Sequence, residues 1–120
     1  MVKYLMEMLN AIKIYHWNTH SYSQHKATDE LHERLSTNID RFVEVLLGKV
    51  EPERIRLASA QKIPLHNYRS ASQLKHSIYK FRSFLVRLDG CFTNADSDLL
   101  NIRDEILADL NQFIYLLTLS

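Results

Sequence analysis

Glycine and proline are scarce, with two of each in 120 residues. Tight turns draw heavily on these residues, so long helices with few connections are the economical arrangement. A single cysteine, Cys91, excludes an internal disulfide framework and fits a reducing compartment, so the cytoplasm is the expected location. No apolar run reaches bilayer length, and the stretch FIYLLTLS is far too short to span one. Neither a membrane partner nor a charged-then-apolar leader is expected. Nothing alternates with the period of two that a strand needs. Glycine-rich phosphate loops and hydrolase nucleophile motifs are missing too.

What the chain does have is 46% hydrophobic and 24% charged residues, the balance of a globular domain. Its length fits one domain over residues 1–120, with a modest core that an oligomer would supplement. The net charge of +1 hides an uneven distribution. Residues 49–87 hold nine Lys or Arg against two Asp or Glu, and residues 88–120 hold one against six. A basic helix beside an acidic one, each with a solvated outer face, accounts for this. A nucleic-acid surface is not expected, because no aromatics are arranged for stacking and no basic tail is expected.

Hydrophobic periodicity predicts four helices. Leu5, Met8, Ile12, Tyr15 and Thr19 recur at steps of three and four, which gives a first helix over about residues 2–19. Ser21, with Gln24 three residues on, reads as a capping box for the second. Its core stripe is Leu31, Leu35, Ile39, Phe42 and Leu46, and Gly48 is placed to end it in the left-handed conformation. Residues 49–69 hold both prolines and no sustained period, and so form a connection, with a short helix at PERIRLAS. Ser70 and Gln73 repeat the capping signal for a third helix carrying Leu74, Ile78, Phe81, Leu85 and Leu88 and stopped by Gly90. The fourth begins near Asn94 or Asp96 and carries Leu99, Ile102, Ile106, Leu110, Phe113 and Leu117. The expected fold is an all-α four-helix bundle with one longer connection between the second and third helices.

The second helix carries a further stripe. At about 100° per residue, His25, Asp29, Asp40 and Glu44 share a face distinct from the core stripe, with Ser36, Val43 and Leu47 among them. His25 and Asp29 are one turn apart, as are Asp40 and Glu44, so each pair can share a metal. The two pairs cannot share one within a chain, because Asp29 and Asp40 lie roughly 16 Å apart along the axis and metal–ligand bonds are about 2 Å. The midpoints of His25 with Glu44 and of Asp29 with Asp40 coincide at 34.5. If this helix meets a copy of itself antiparallel across a two-fold axis near Leu35 and Ser36, two identical sites form. Each takes His25 and Asp29 from one chain and Asp40 and Glu44 from its mate. His16, near the end of the first helix, can join across the short turn. Imidazoles and carboxylates with open positions suit iron(II) better than structural zinc.

At these residues the sequence resembles the Dps branch of the ferritin superfamily. HWN at the end of the first helix, then His25-x3-Asp29, eleven residues to Asp40, and Asp40-x3-Glu44 are similar to its ferroxidase pattern. The likeness is specific over residues 15–47 and architectural beyond. It implies a ferritin-like bundle, a two-fold dimer through the second helix, a larger homo-oligomer, and iron(II) oxidation by peroxide or dioxygen. The implied ligands are His16, His25, Asp29, Asp40 and Glu44, with Trp17 near the site. The turn between His16 and His25 is shorter than in typical members. HKATDEL and VEVLLGK also resemble small ferritin-like proteins of large DNA viruses, which allows a place in the host cytoplasm or among virion proteins.

Simpler readings apply to single residues. Any one carboxylate is ordinary solvated surface, whereas five matching positions together are not. His20 either assists the site or is an exposed turn residue, and His32 is helix surface near the core edge. His66 and His76 have no carboxylate partner at ligand spacing. Tyr15, Trp17 and Tyr22 read first as packing residues, and Cys91 as a packed thiol. The alternative function is a metal-free interaction or virion-building bundle, with Lys75, Lys80, Arg82 and Arg87 toward a partner.

Overall fold

The computed structural model describes residues 1–57 and 59–119. Among these residues there are four α-helices, α1 (Val2–Asn18), α2 (Tyr22–Lys49), α3 (Ala71–Arg87) and α4 (Ser97–Leu117), with short 3-10 turns at Leu88–Gly90 and Asn94–Asp96. Among the described residues there is no strand, and no helix is long and apolar enough to cross a membrane.

The predicted stripes become core, except Thr19, which is the half-buried C-cap just beyond α1. Leu5, Met8, Ile12 and Tyr15 meet Leu31, Leu35, Ile39 and Phe42 in one cluster with the apolar stripes of α3 and α4. Leu46 and Leu117, near helix ends, are half-buried. Burying side chains of this size contributes about 1.5–3 kcal/mol each. Both serine caps form: Ser21 accepts from the Gln24 amide, and Ser70 from the Gln73 amide. Such caps satisfy amides that have no partner inside the helix.

The helix directions follow from side-chain contacts. Arg34 reaches Gln112, Asn38 reaches Asp109, and Lys49 reaches Asp98, so α2 and α4 are antiparallel. Arg82 bonds Asn111 and Arg103 bonds the Leu85 carbonyl, so α3 and α4 are antiparallel too. Hence α2 and α3 run parallel, and residues 50–70 return the chain to the end of the bundle where α2 began. On the way back His66 meets Glu7 and Asn67 meets Asn18, which ties the crossover to α1.

One expectation about a helix end needs correction. No glycine has a positive φ, and Gly48 is an ordinary residue inside α2, which ends at Lys49 with Val50 as its cap. The stop comes from Pro52, which disfavours helical geometry at the residue before it. The third helix does stop at Gly90: α3 tightens into a 3-10 turn at Leu88–Gly90, with Cys91 as its cap. The short helix expected at PERIRLAS does not form among its described residues; Ala58 lies outside them.

Candidate metal centre

The turn from α1 to α2 is tight and heavily bonded. The Tyr15 and Thr19 hydroxyls both donate to the Gln24 carboxamide oxygen, and Ser21 caps α2. This brings His16, in the last turn of α1, against His25, in the first turns of α2. His16 Nδ1 lies 2.7 Å from the His25 carbonyl oxygen, and His25 Nδ1 lies 2.8 Å from the His16 carbonyl oxygen. Carbonyls of a last helical turn lack partners within the helix, and the His25 ring supplies one for His16. The rings stack with centroids 3.8 Å apart, inclined by 18°.

This reciprocity fixes the chemistry of both rings. A carbonyl oxygen can only accept, so each Nδ1 carries the hydrogen. Each neutral ring therefore keeps its lone pair on Nε2, the tautomer that binds metal. Histidine ligands commonly donate their other nitrogen to a carbonyl or carboxylate in this way. Thr28, fully buried, adds a third anchor: its hydroxyl lies 3.2 Å from His16 Nδ1 and bonds the Gln24 and His25 carbonyls. The sequence reading missed Thr28. Its signal was a hydroxyl on the core stripe of α2, where apolar residues are otherwise the rule.

Asp29 follows one turn after His25 on the exposed face, with Oδ1 4.0 Å from His16 Nε2. His16 itself is 7% exposed, so only a limited part of its ring faces the outside. His32 is half-buried beside this group. Burial, then the nearby Lys13, lowers its pKa, with Asp29 opposing. His20 is exposed at the turn.

The structure thus sets His16 against His25 on one side and 4.0 Å from Asp29 on the other. Asp40 and Glu44 lie farther along α2, exposed on its outer face with Ser36, while Val43 and Leu47 there are half-buried. No group of three or more His, Cys, Asp or Glu side chains gathers at metal-binding distance among the described residues of one chain. A cleft of about 820 Å3 opens beside the turn between residues such as Trp17, His20, Asn67 and Arg69, and none of the five ligand candidates lines it.

Several simpler expectations are corrected here. Tyr15 is buried, but Trp17 is 67% and Tyr22 is 77% exposed. Trp17 comes two residues after Tyr15, which turns it about 200° from the core. Lys13 instead lies over its indole, 5.6 Å from the centroid. Cys91 is exposed after the 3-10 turn. His66 does have a carboxylate partner, Glu7 at 2.7 Å, brought to it by the crossover.

No curated protein and no solved structure matches the chain. One family model matches residues 16–117, a span that contains all five ligand candidates. The chain belongs to that family, the family of unknown function DUF5856.

Proposed function

We propose that the protein is a Dps-like iron(II) oxidase whose sites are completed between two copies. The observation that carries the reading is the reciprocal pairing of His16 and His25, which leaves Nε2 of both rings without a hydrogen, that of His16 4.0 Å from the Asp29 carboxylate. Bundle direction supports it: parallel second and third helices joined by one long crossover are the connectivity of ferritin-like folds. The outer face of α2 supports it too. That face combines carboxylates with the half-buried Val43 and Leu47 and the small Ser36, as a face covered by a second helix would.

In this reading α2 packs antiparallel on α2 of a second copy, and Asp40 and Glu44 of one chain reach His16, His25 and Asp29 of the other. Iron(II) is the substrate. Asp29 and Glu44 hold the ions most directly, Asp40 is the weaker ligand, and the imidazoles complete the sphere. Two iron(II) ions each give up one electron. One peroxide accepts both, its oxygen–oxygen bond breaking to give two hydroxides; dioxygen as the oxidant instead accepts both electrons and two protons from water and leaves as hydrogen peroxide. The carboxylates balance the added positive charge of the ferric product. A larger homo-oligomer would collect that product.

The test is iron(II) oxidation by Asp29→Ala and Glu44→Ala, followed by the rise of ferric absorbance. Both side chains are exposed, so folding should hold while rapid oxidation disappears. Unchanged oxidation in both variants would reject the site.

A further inference from the structure

The α3 helix has no acidic residue and four cations, Lys75, Lys80, Arg82 and Arg87. Among the described residues, none of the four forms an ion pair with a carboxylate. Asp89 and Asp104, near the end of α3, are already held by Arg103. Charge is therefore left over on α3.

The face is not simply a solvated row of lysines. Lys75, Tyr79, Arg82 and Val86 recur at steps of four, three and four, one stripe along α3 toward α4. Val86 is 51% exposed. It borders a groove of about 490 Å3 between α3 and α4, together with Arg82, Arg87 and the half-buried Leu107. The cations on this stripe are held in place before any partner arrives. Arg82 donates to Asn111 at 2.6 Å and lies 4.6 Å from the centroid of the Tyr79 ring. Lys75 lies 5.8 Å from the same ring. Cations fixed in this way lose little freedom when they are paired.

We infer that the α3/α4 groove docks an acidic amphipathic helix of a partner protein. Its apolar side would seat on Val86 and Leu107, and carboxylates two turns apart would reach Lys75 and Arg82, about 10 Å apart along α3. Apolar contact with cations along the rim distinguishes this occupant from nucleic acid. A phosphate backbone has no use for the apolar floor. Arg82 also covers the Tyr79 ring, so that ring is not free to stack on a base. The inference does not depend on the metal site, which lies on α1 and α2.

The test is fluorescence anisotropy of a labelled helical peptide of leucine on one side and glutamate on the other. A scrambled peptide of the same composition and a single-stranded oligothymidine serve as comparisons. The amphipathic peptide should bind best and weaken as salt is raised. Arg82→Gln and Val86→Glu, both at the surface, should each reduce binding about tenfold or more, with helicity unchanged by circular dichroism. Equal binding of the scrambled peptide, tighter binding of the oligonucleotide, or unaffected binding by both variants would overturn the inference. So would a change of oligomeric state in Val86→Glu, which would mean that another copy covers this face.

Discussion

Two chains that are inactive alone should restore activity when mixed, because the proposed site is shared. In one chain His25 and Asp29 are changed to Ala; in the other, Asp40 and Glu44. All four residues are exposed, and such substitutions usually alter stability by about 0.5 kcal/mol or less. His25 costs somewhat more, since its ring stacks on His16 and bonds its carbonyl. α2 is one continuous helix from Tyr22 to Lys49, so Asp29 and Asp40 stay about 16 Å apart along its axis and cannot serve one site within a chain. Each variant homodimer then lacks half of the ligands at both sites. After joint unfolding and refolding, about half of the dimers are mixed. Each mixed dimer has one complete site, built from His16, His25 and Asp29 of the second chain with Asp40 and Glu44 of the first, and one site without any of the four. Initial iron(II) oxidation should recover to about a quarter of wild type if the sites act independently. Mixed dimers verified by differential tagging that remain inactive would refute the shared site.

Ser36→Arg should leave a folded monomer in sedimentation, because a charged side chain near the proposed two-fold axis would be buried without a partner; a dimer that persists would remove α2 from the contact. Gly48→Ala should raise stability by about 0.4–1 kcal/mol in denaturant unfolding, since a Cβ there meets nothing within 4 Å and the residue is helical. A loss instead would restore the left-handed reading. His32 should make the fold acid-sensitive. Its folded pKa lies below its ordinary value through burial and Lys13, so the unfolded chain takes up the proton first as pH falls through about 6.5. Stability contributed by neutral His32 is thus lost on acidification, and His32→Gln should flatten that part of the melting profile, whereas an unchanged slope would assign the acid sensitivity to other groups.

The helices and their core were legible because burial imposes a period, and Leu35 or Ile106 reads the same in sequence and in structure. The caps at Ser21 and Ser70 were legible because their bonds span three residues. What failed depended on contacts distant in sequence or on direction. His66 meets Glu7 across 59 positions, and no local spacing reports that. Gly48 was given a turn that the chain does not make, because a proline four residues later ends the helix. Trp17 and Tyr22 are apolar enough to suggest packing, yet a pattern of apolar residues does not say whether their partner lies in the same chain. The ligand candidates divide in the same way. His16 meets His25 and Asp29 across a local turn, whereas Asp40 and Glu44 share only an exposed face of α2, and no local contact brings them to the other three.

The parallel course of α2 and α3 also sets the order in which the protein can be made. The bonds around His16 and His25 close over nine residues, within reach as soon as the α1–α2 turn leaves the ribosome. The ties between α2 and α4 span 71 and 78 residues, from Asn38 to Asp109 and from Arg34 to Gln112. Such distant closures come late and slowly. During synthesis the apolar side of α2, covered in part by α1, must therefore wait for α4 to complete its cover, and that interval is when the nascent chain is most exposed to aggregation.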